Sequence, residues 1–187
     1  QIFFMLTAHR IAALKSAALL NQYDWVAVCS ISTSRAIDEL AASENISVAH
    51  VRVGFKYMGT FAEWAEKHSD AAEPHIDPTG DKVFVGKNLR ALIMCEESGG
   101  ASFGSQDLLM NKSGTRGLIA LREKDGMQLA LLTLSLAASL HNSNQSFADY
   151  YCNLITKHNI KNKYFNRRDV RLYDESLTGS ERQVAKK

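Results

Sequence analysis

The residues of this chain best suited to chemistry fall in three short stretches. The first is Glu96-Glu-Ser-Gly-Gly100, where two adjacent carboxylates and a hydroxyl follow directly on an apolar run, Arg90-Ala-Leu-Ile-Met-Cys95. Carboxylates and a hydroxyl accept hydrogen bonds from neutral polyols such as sugars, and paired glycines let the backbone approach a ligand closely. The competing reading is a solvated acidic turn. The second stretch, Arg122-Glu-Lys-Asp-Gly126, places two cations just before a helix N-terminus, where backbone N–H groups already favour anions. It suits a phosphate, and Lys124 would serve as a proton donor if burial or nearby cations lowered its pKa. The plainer reading is a helix entry with surface charges. The third, Arg52-Val-Gly-Phe-Lys-Tyr-Met-Gly59, combines cations, aromatics and glycines at a strand-to-helix turn. An aromatic there can stack on a sugar face while Lys56 meets a phosphate or hydroxyl; a hairpin-like turn with a surface lysine is the alternative.

Other groups fail on spacing. Gly80-Asp-Lys-Val-Phe-Val-Gly-Lys-Asn88 has five residues between its glycines and Asn88 where a phosphate-binding loop needs Ser or Thr. His68, Asp70, His75, Asp77 and Asp81 match no standard metal-ligand spacing and lie in a loop, so no metal site is expected in this chain. Cys95 adjoins two carboxylates, which raise a thiol pKa, and is expected as a core residue at a strand end.

The elements that must position these stretches follow from pattern. Gln1-Ile-Phe-Phe-Met-Leu6 reads as a strand already in progress, with Thr7 capping a helix over about 8–21. Trp25-Val-Ala-Val-Cys-Ser30 reads as a buried strand, and the Ser32–Ser34 cluster opens a helix with Ile37, Leu40 and Ala41 inward. Ile46-Ser-Val-Ala-His-Val51 is a second alternating strand, a helix runs through 62–66, and 90–95 is the next strand. Residues 68–82 hold both prolines and form a loop. Asp125 caps a helix over 126–140 whose leucines cover nearly all sides, so that helix is expected to be central and buried. Ser146 and Asp149 open a last helix as a capping-box variant. Tyr164 to Tyr173 is a possible strand without an obvious partner, within a basic segment 161–187 that reads as a linker or the start of another domain. The alternation of strand and helix predicts an α/β fold, a three-layer α/β/α domain with a mixed, mostly parallel sheet of about four strands.

Composition sets the outer bounds. The chain has 187 residues, 45% hydrophobic and 22% charged, which is ordinary for a globular domain and excludes collagen and disorder. No apolar run approaches the roughly 18–20 residues that span a bilayer. With 22 basic and 20 acidic residues the net charge is +2, too balanced for nucleic-acid or membrane binding by bulk electrostatics. Three cysteines, Cys29, Cys95 and Cys152, are widely spaced, which argues against a disulfide framework and for a reducing, cytoplasmic setting. Residue 1 is Gln, and the chain is expected to be cut from something longer.

Taken together, Val53-Gly-Phe-Lys-Tyr-Met-Gly59, Glu96-Glu-Ser-Gly-Gly100 and Arg122-Glu-Lys-Asp-Gly126, in this order and spacing, resemble the α-D-phosphohexomutases, the phosphoglucomutase and phosphomannomutase family. The resemblance spans about residues 5–173 and places 1–160 as the family's third, sugar-binding domain. It implies a parent that interconverts hexose 1-phosphate and hexose 6-phosphate through a phosphoserine and a glucose 1,6-bisphosphate-type intermediate. Mg²⁺ would be bound by another domain, and the partners would be a hexose phosphate and the other domains of the same polypeptide. Carried onto this sequence, it implies that Glu96 and Ser98 contact sugar hydroxyls and that Gly54, Phe55 and Lys56 form the loop that adapts to two substrate orientations. Lys124 would lie near phosphoryl transfer as a candidate general acid, with Arg122 adding positive charge. Cys95 departs from the family's usual Gly, and 68–88 looks like an insertion. No Thr-Ala-Ser-His-Asn-type serine loop and no Asp-x-Asp-x-Asp-Arg loop occurs, so the chain alone is expected to be inactive. The alternative is a non-catalytic sugar-phosphate-binding or scaffold module derived from a mutase.

Overall fold

The computed structural model describes residues 1–68, 73–115, 117–164, 176 and 178–181. Its centre is a four-stranded sheet in the order β2-β1-β5-β6. β1 (Asp24–Ser30) pairs in parallel with β2 (Ser47–Val51) on one side and with β5 (Leu89–Cys95) on the other. β6 (Ala101–Ser102) returns antiparallel beside Met94 and Cys95. Two small antiparallel hairpins lie outside it: β3 (His75–Ile76) with β4 (Lys82–Val83), and β7 (Leu109–Met110) with β8 (Gly117–Leu118). This is the expected mixed, mostly parallel sheet. The loop expected over 68–82 carries the first hairpin.

The central strands are buried on both faces, as parallel strands covered by helices must be. Alternate residues of β1 serve different cores. Trp25, Ala27 and Cys29 face a core shared with α1 (Ile2–Ser16), α2 (Ala36–Ser43), α4 (Gly126–Asn142) and α5 (Phe147–Lys157). Val26 and Val28 face a second core closed by α3 (Phe55–Lys67) through Phe55, Met58, Phe61, Ala62 and Ala65. Helices therefore lie on both sides of the sheet. In β5 the register shifts between the partners of Val26 and Ala27, so that Leu92 is an extra residue. Leu92 and Ile93 consequently face the same core.

Two expectations are corrected. Residues 1–6 are not a strand, and Thr7 is not a cap: both lie within α1, and Thr7 Oγ1 donates to the Phe3 carbonyl at 2.7 Å. Phe3, Phe4, Met5, Leu6, Thr7 and Ala8 are all buried. A short run buried on every side shows no period that separates helix from strand, and helix satisfies its backbone without a sheet neighbour. The first strand is therefore β1. α4 is the second correction. It begins at the Asp125 cap as expected, with the Asp125 side chain accepting from Met127 N and Gln128 N, yet only Leu136 and Leu140 are buried. Met127, Leu131 and Leu134 are 69%, 60% and 65% exposed. An apolar composition all round does not say which face finds a neighbour.

The α5 assignment and the inward face of α2 match the structure, but α2 starts after the Ser32–Ser34 cluster, with Arg35 at its N-cap and no side-chain capping bond. Ile37, Leu40 and Ala41 are buried, and Ser146 with Asp149 forms a complete capping box. The strand expected from Tyr164 to Tyr173 lies outside the described residues beyond Tyr164.

Candidate functional site

The carboxyl ends of β1, β2 and β5 form one edge of the sheet, the edge at which α/β sheets bind ligands. β5 delivers Glu96 there. The chain turns back at once: Glu96 N donates to the Gly100 carbonyl at 3.0 Å, and Gly99 N to the Glu96 carbonyl at 3.1 Å. Glu96 is only 4% exposed, a costly place for a carboxylate without a cation. Lys124 supplies it: Nζ donates to Glu96 Oε1 at 2.7 Å. Gly100 makes room for the pair. A Cβ at that position would stand 2.7 Å from Glu96 Oε1 and 2.9 Å from Lys124 Cδ. The backbone is fixed nearby as well, with Asp125 N donating to the Ala101 carbonyl at 2.8 Å.

The sequence motifs 96–100 and 122–126 thus meet in space. Electrostatically the pair works in one direction. The hydrogen bond and charge of Glu96 raise the Lys124 ammonium above its ordinary 10.5, with Glu123 adding to the rise. The lowered pKa that proton donation requires is not what this arrangement produces. Lys124 is a held cation with a half-exposed side chain.

Glu97 turns the other way. Its Oε2 accepts from Ser30 Oγ at 2.7 Å, and Ser30 Oγ lies 2.9 Å from Thr33 Oγ1. The end of β1 is thereby tied to the turn after β5. Ser98 is exposed at the tip of that turn.

Arg122 is held from α3. Its guanidinium pairs with Glu66, whose other oxygen accepts from Ile119 N at 2.8 Å. The charge expected to add to the phosphoryl centre is met by this carboxylate, although Arg122 Nη1 remains buried without a partner. Gly54 caps α3 at φ +120°, a backbone conformation that disfavours any side chain. Phe55 is 5% exposed and packs in the second core. Its ring helps hold α3 to the sheet. Lys56 is exposed, its Nζ 5.0 Å from the Tyr57 ring centroid.

Among the described residues, His50, Asp77 and Asp81 bring donor atoms within 4.8 Å of one another. The Asp77 carboxylate is already committed, however. Oδ1 accepts from Thr79 N, Thr79 Oγ1 and Asp81 N, and Oδ2 accepts from His50 N. His50 Nε2 meets Asp38 at 3.0 Å, and Arg35 Nη1 lies 2.9 Å from the same nitrogen. These contacts fasten the β3–β4 hairpin to β2. His75 packs instead against Trp64 and Phe61, and Asp70 lies outside the described residues. Cys95 is a buried strand-end residue as expected, its Sγ 3.8 Å from that of Cys29.

Three residues escaped sequence reasoning. Ser30 reads as the last residue of a strand, Glu66 as part of a helix, and Gly100 as half of a pair that lets the backbone approach a ligand.

The structure is thus an α/β/α domain with a carboxylate–ammonium pair at the carboxyl edge of its parallel strands. The model of the phosphoglucomutase/phosphomannomutase alpha/beta/alpha domain III matches residues 62–158, and the chain belongs to that family. Among solved structures, it is similar to a Thermus thermophilus protein assigned as a phosphomannomutase, at 17% identity and a TM-score of 0.48 over 83% of this chain. The chain spans 25% of that protein's chain. No curated protein matches it. Among the described residues no helix is long and apolar enough to cross a membrane.

Proposed function

We propose that this domain recognises the sugar of a hexose phosphate, as one layer of a mutase that exchanges phosphate between the 1- and 6-positions through a phosphoserine and a bisphosphate intermediate. The observation that carries the reading is the Glu96–Lys124 pair. It places a buried hydrogen-bond acceptor and a half-exposed cation 2.7 Å apart at the ligand edge of a domain III fold. A hexose phosphate presents the complementary groups, hydroxyl donors and an anion, on one small body.

In this reading Glu96 Oε2 accepts from sugar hydroxyls while Oε1 stays with Lys124, and Ser98 adds a polar contact from the turn. Lys124 offers its charge to phosphate oxygens. Phosphoryl transfer depends chiefly on positioning and charge stabilisation, so a fixed ammonium contributes without moving a proton. Gly54 and Lys56 follow the sugar as it changes orientation. The phosphoserine and Mg²⁺ belong to other domains of the same polypeptide, and the isolated chain is inactive. Magnesium, when bound there, would neutralise charge on the transferred phosphoryl group.

The test is calorimetric titration of the full chain with glucose 1-phosphate and mannose 1-phosphate, against glucose and inorganic phosphate. The sugar phosphates should bind saturably and more tightly than either half. Glu96→Ala should weaken them by about tenfold or more. No saturable binding, or binding that Glu96→Ala leaves unchanged, would overturn the reading.

A further inference from the structure

A second recess lies between α1, α4 and the chain after β6. It is a groove of about 360 Å³ lined in part by Arg10, Phe103, Leu109, Gln128, Leu131 and Leu132. Its volume falls within the range of small-molecule sites, about 300–1,000 Å³, which are mostly apolar with a few placed polar groups. It shares no residue with the Glu96–Lys124 edge.

Arg10 sets its character. The guanidinium lies 5.7 Å from the Phe103 ring centroid and 5.8 Å from that of Trp25, and Nη2 donates to the Gly104 carbonyl. Among the described residues no carboxylate pairs with it, and Nε is buried without an acceptor. Burial lowers its pKa to about 10. Arginine stays charged all the same, and a desolvated cation is stabilised most by an anion. The neighbouring His9 is bonded to Ser135 at 3.0 Å, and burial lowers its pKa. At neutral pH the groove thus offers a single positive charge against apolar walls. One planar guanidinium matches one carboxylate in charge and shape, whereas a phosphate dianion would remain half neutralised. Gln128 Oε1 accepts from Phe103 N at 3.0 Å, which fixes the amide at the groove wall with its NH2 as a neutral donor. Leu131, 60% exposed, extends the apolar wall outward along α4.

We propose that this groove binds a small monocarboxylate with an apolar body, its carboxylate against Arg10 and its body along Leu109, Leu131 and Leu132. The experiment is a methyl and arginine Nε–H NMR titration of the full chain with octanoate, with octanol and octylammonium as controls. Octanoate should bind saturably, shifting the Leu131 and Leu132 methyls and the Arg10 Nε–H together, while octanol and octylammonium bind about tenfold more weakly or not at all. Arg10→Gln should weaken octanoate by about tenfold, and Leu131→Gln, at an exposed position, by a smaller factor. If Arg10→Gln fails to fold, the octanol comparison and Leu131→Gln decide. Absence of saturation, equal binding of octanol, or shifts confined to other residues would overturn the proposal. So would Leu131 resonances that depend on protein concentration without octanoate, which would show a second copy covering the groove.

Discussion

Lys124 Nζ meets Glu96 Oε1 at 2.7 Å, 28 residues apart in sequence, across a turn that leaves no space for a side chain at position 100. The contact joins the end of β5 to the start of α4. It also favours the charged form of the lysine, since an adjacent carboxylate stabilises the ammonium.

Glu96→Gln should therefore lower the Lys124 pKa toward its ordinary value. Removing the anion removes both the hydrogen bond to a charge and the attraction that raise it. Titration of the lysine side-chain resonances from neutral to alkaline pH reads this directly. A Lys124 titration that does not move would show that the pair contributes nothing in solution.

Gly100→Ala and Gly104→Ala should behave differently. At Gly100 the new methyl meets side-chain atoms of Glu96 and Lys124, which can swing aside, so the fold survives while sugar-phosphate affinity drops. At Gly104 it meets the carbonyl oxygens of Ile119 and Ala91 at 2.4 and 2.5 Å. Backbone cannot step aside, and the loss should be about 3 kcal/mol or more. Urea unfolding of the two variants, with one sugar-phosphate titration, checks the contrast.

Asp77 should make the fold acid-sensitive. Burial alone would raise its pKa, but donors from Thr79, His50 and Asp81 outweigh that and hold it below the ordinary 3.8. The unfolded chain then takes up the proton first, so stability is intact above about pH 4 and falls as pH drops through the folded-state value. Asp77→Asn should cost about 1–3 kcal/mol at neutral pH and flatten the decline below pH 4. Thermal melts of both proteins across pH 3–7 test the sign; parallel pH profiles would refute it.

α4 offers a direct check on its outer face. Leu134→Gln should change stability by no more than about 0.5 kcal/mol because that side chain is exposed. Leu136→Ala, two residues on, removes a fully buried side chain and should cost about 2–5 kcal/mol. Equal losses would mean that the outer leucines are covered.

The parallel strands were legible because β1, β2 and β5 are compact apolar runs bounded by turn residues, and α4 and α5 because Asp125 and Ser146 are chemically distinct caps. The three site stretches stood out by residue type. Their tethers did not: Glu66 reaches Arg122 from another element, and Ser30 reaches Glu97 from another strand, with no local pattern to announce either. The burial of the Phe55 ring was not legible, because an aromatic next to a glycine looks the same in a loop and in the first turn of a buried helix face. α1 was misread because a run buried all round has no period, and α4's outer leucines because hydrophobicity does not name a neighbour.

The extra residue in β5 has a consequence of parity. Residues on a strand take alternate sides, so an inserted residue reverses the side of everything after it. Leu92 is that insertion, and Met94, Cys95 and Glu96 follow it. With one residue fewer, the same sequence would turn Cys95 toward α3 and carry the Glu96 carboxylate out of step with Lys124. The Glu96–Lys124 contact depends on whether the residues of one strand number odd or even, so a deletion within β5 would invert this edge of the sheet where a substitution merely weakens it.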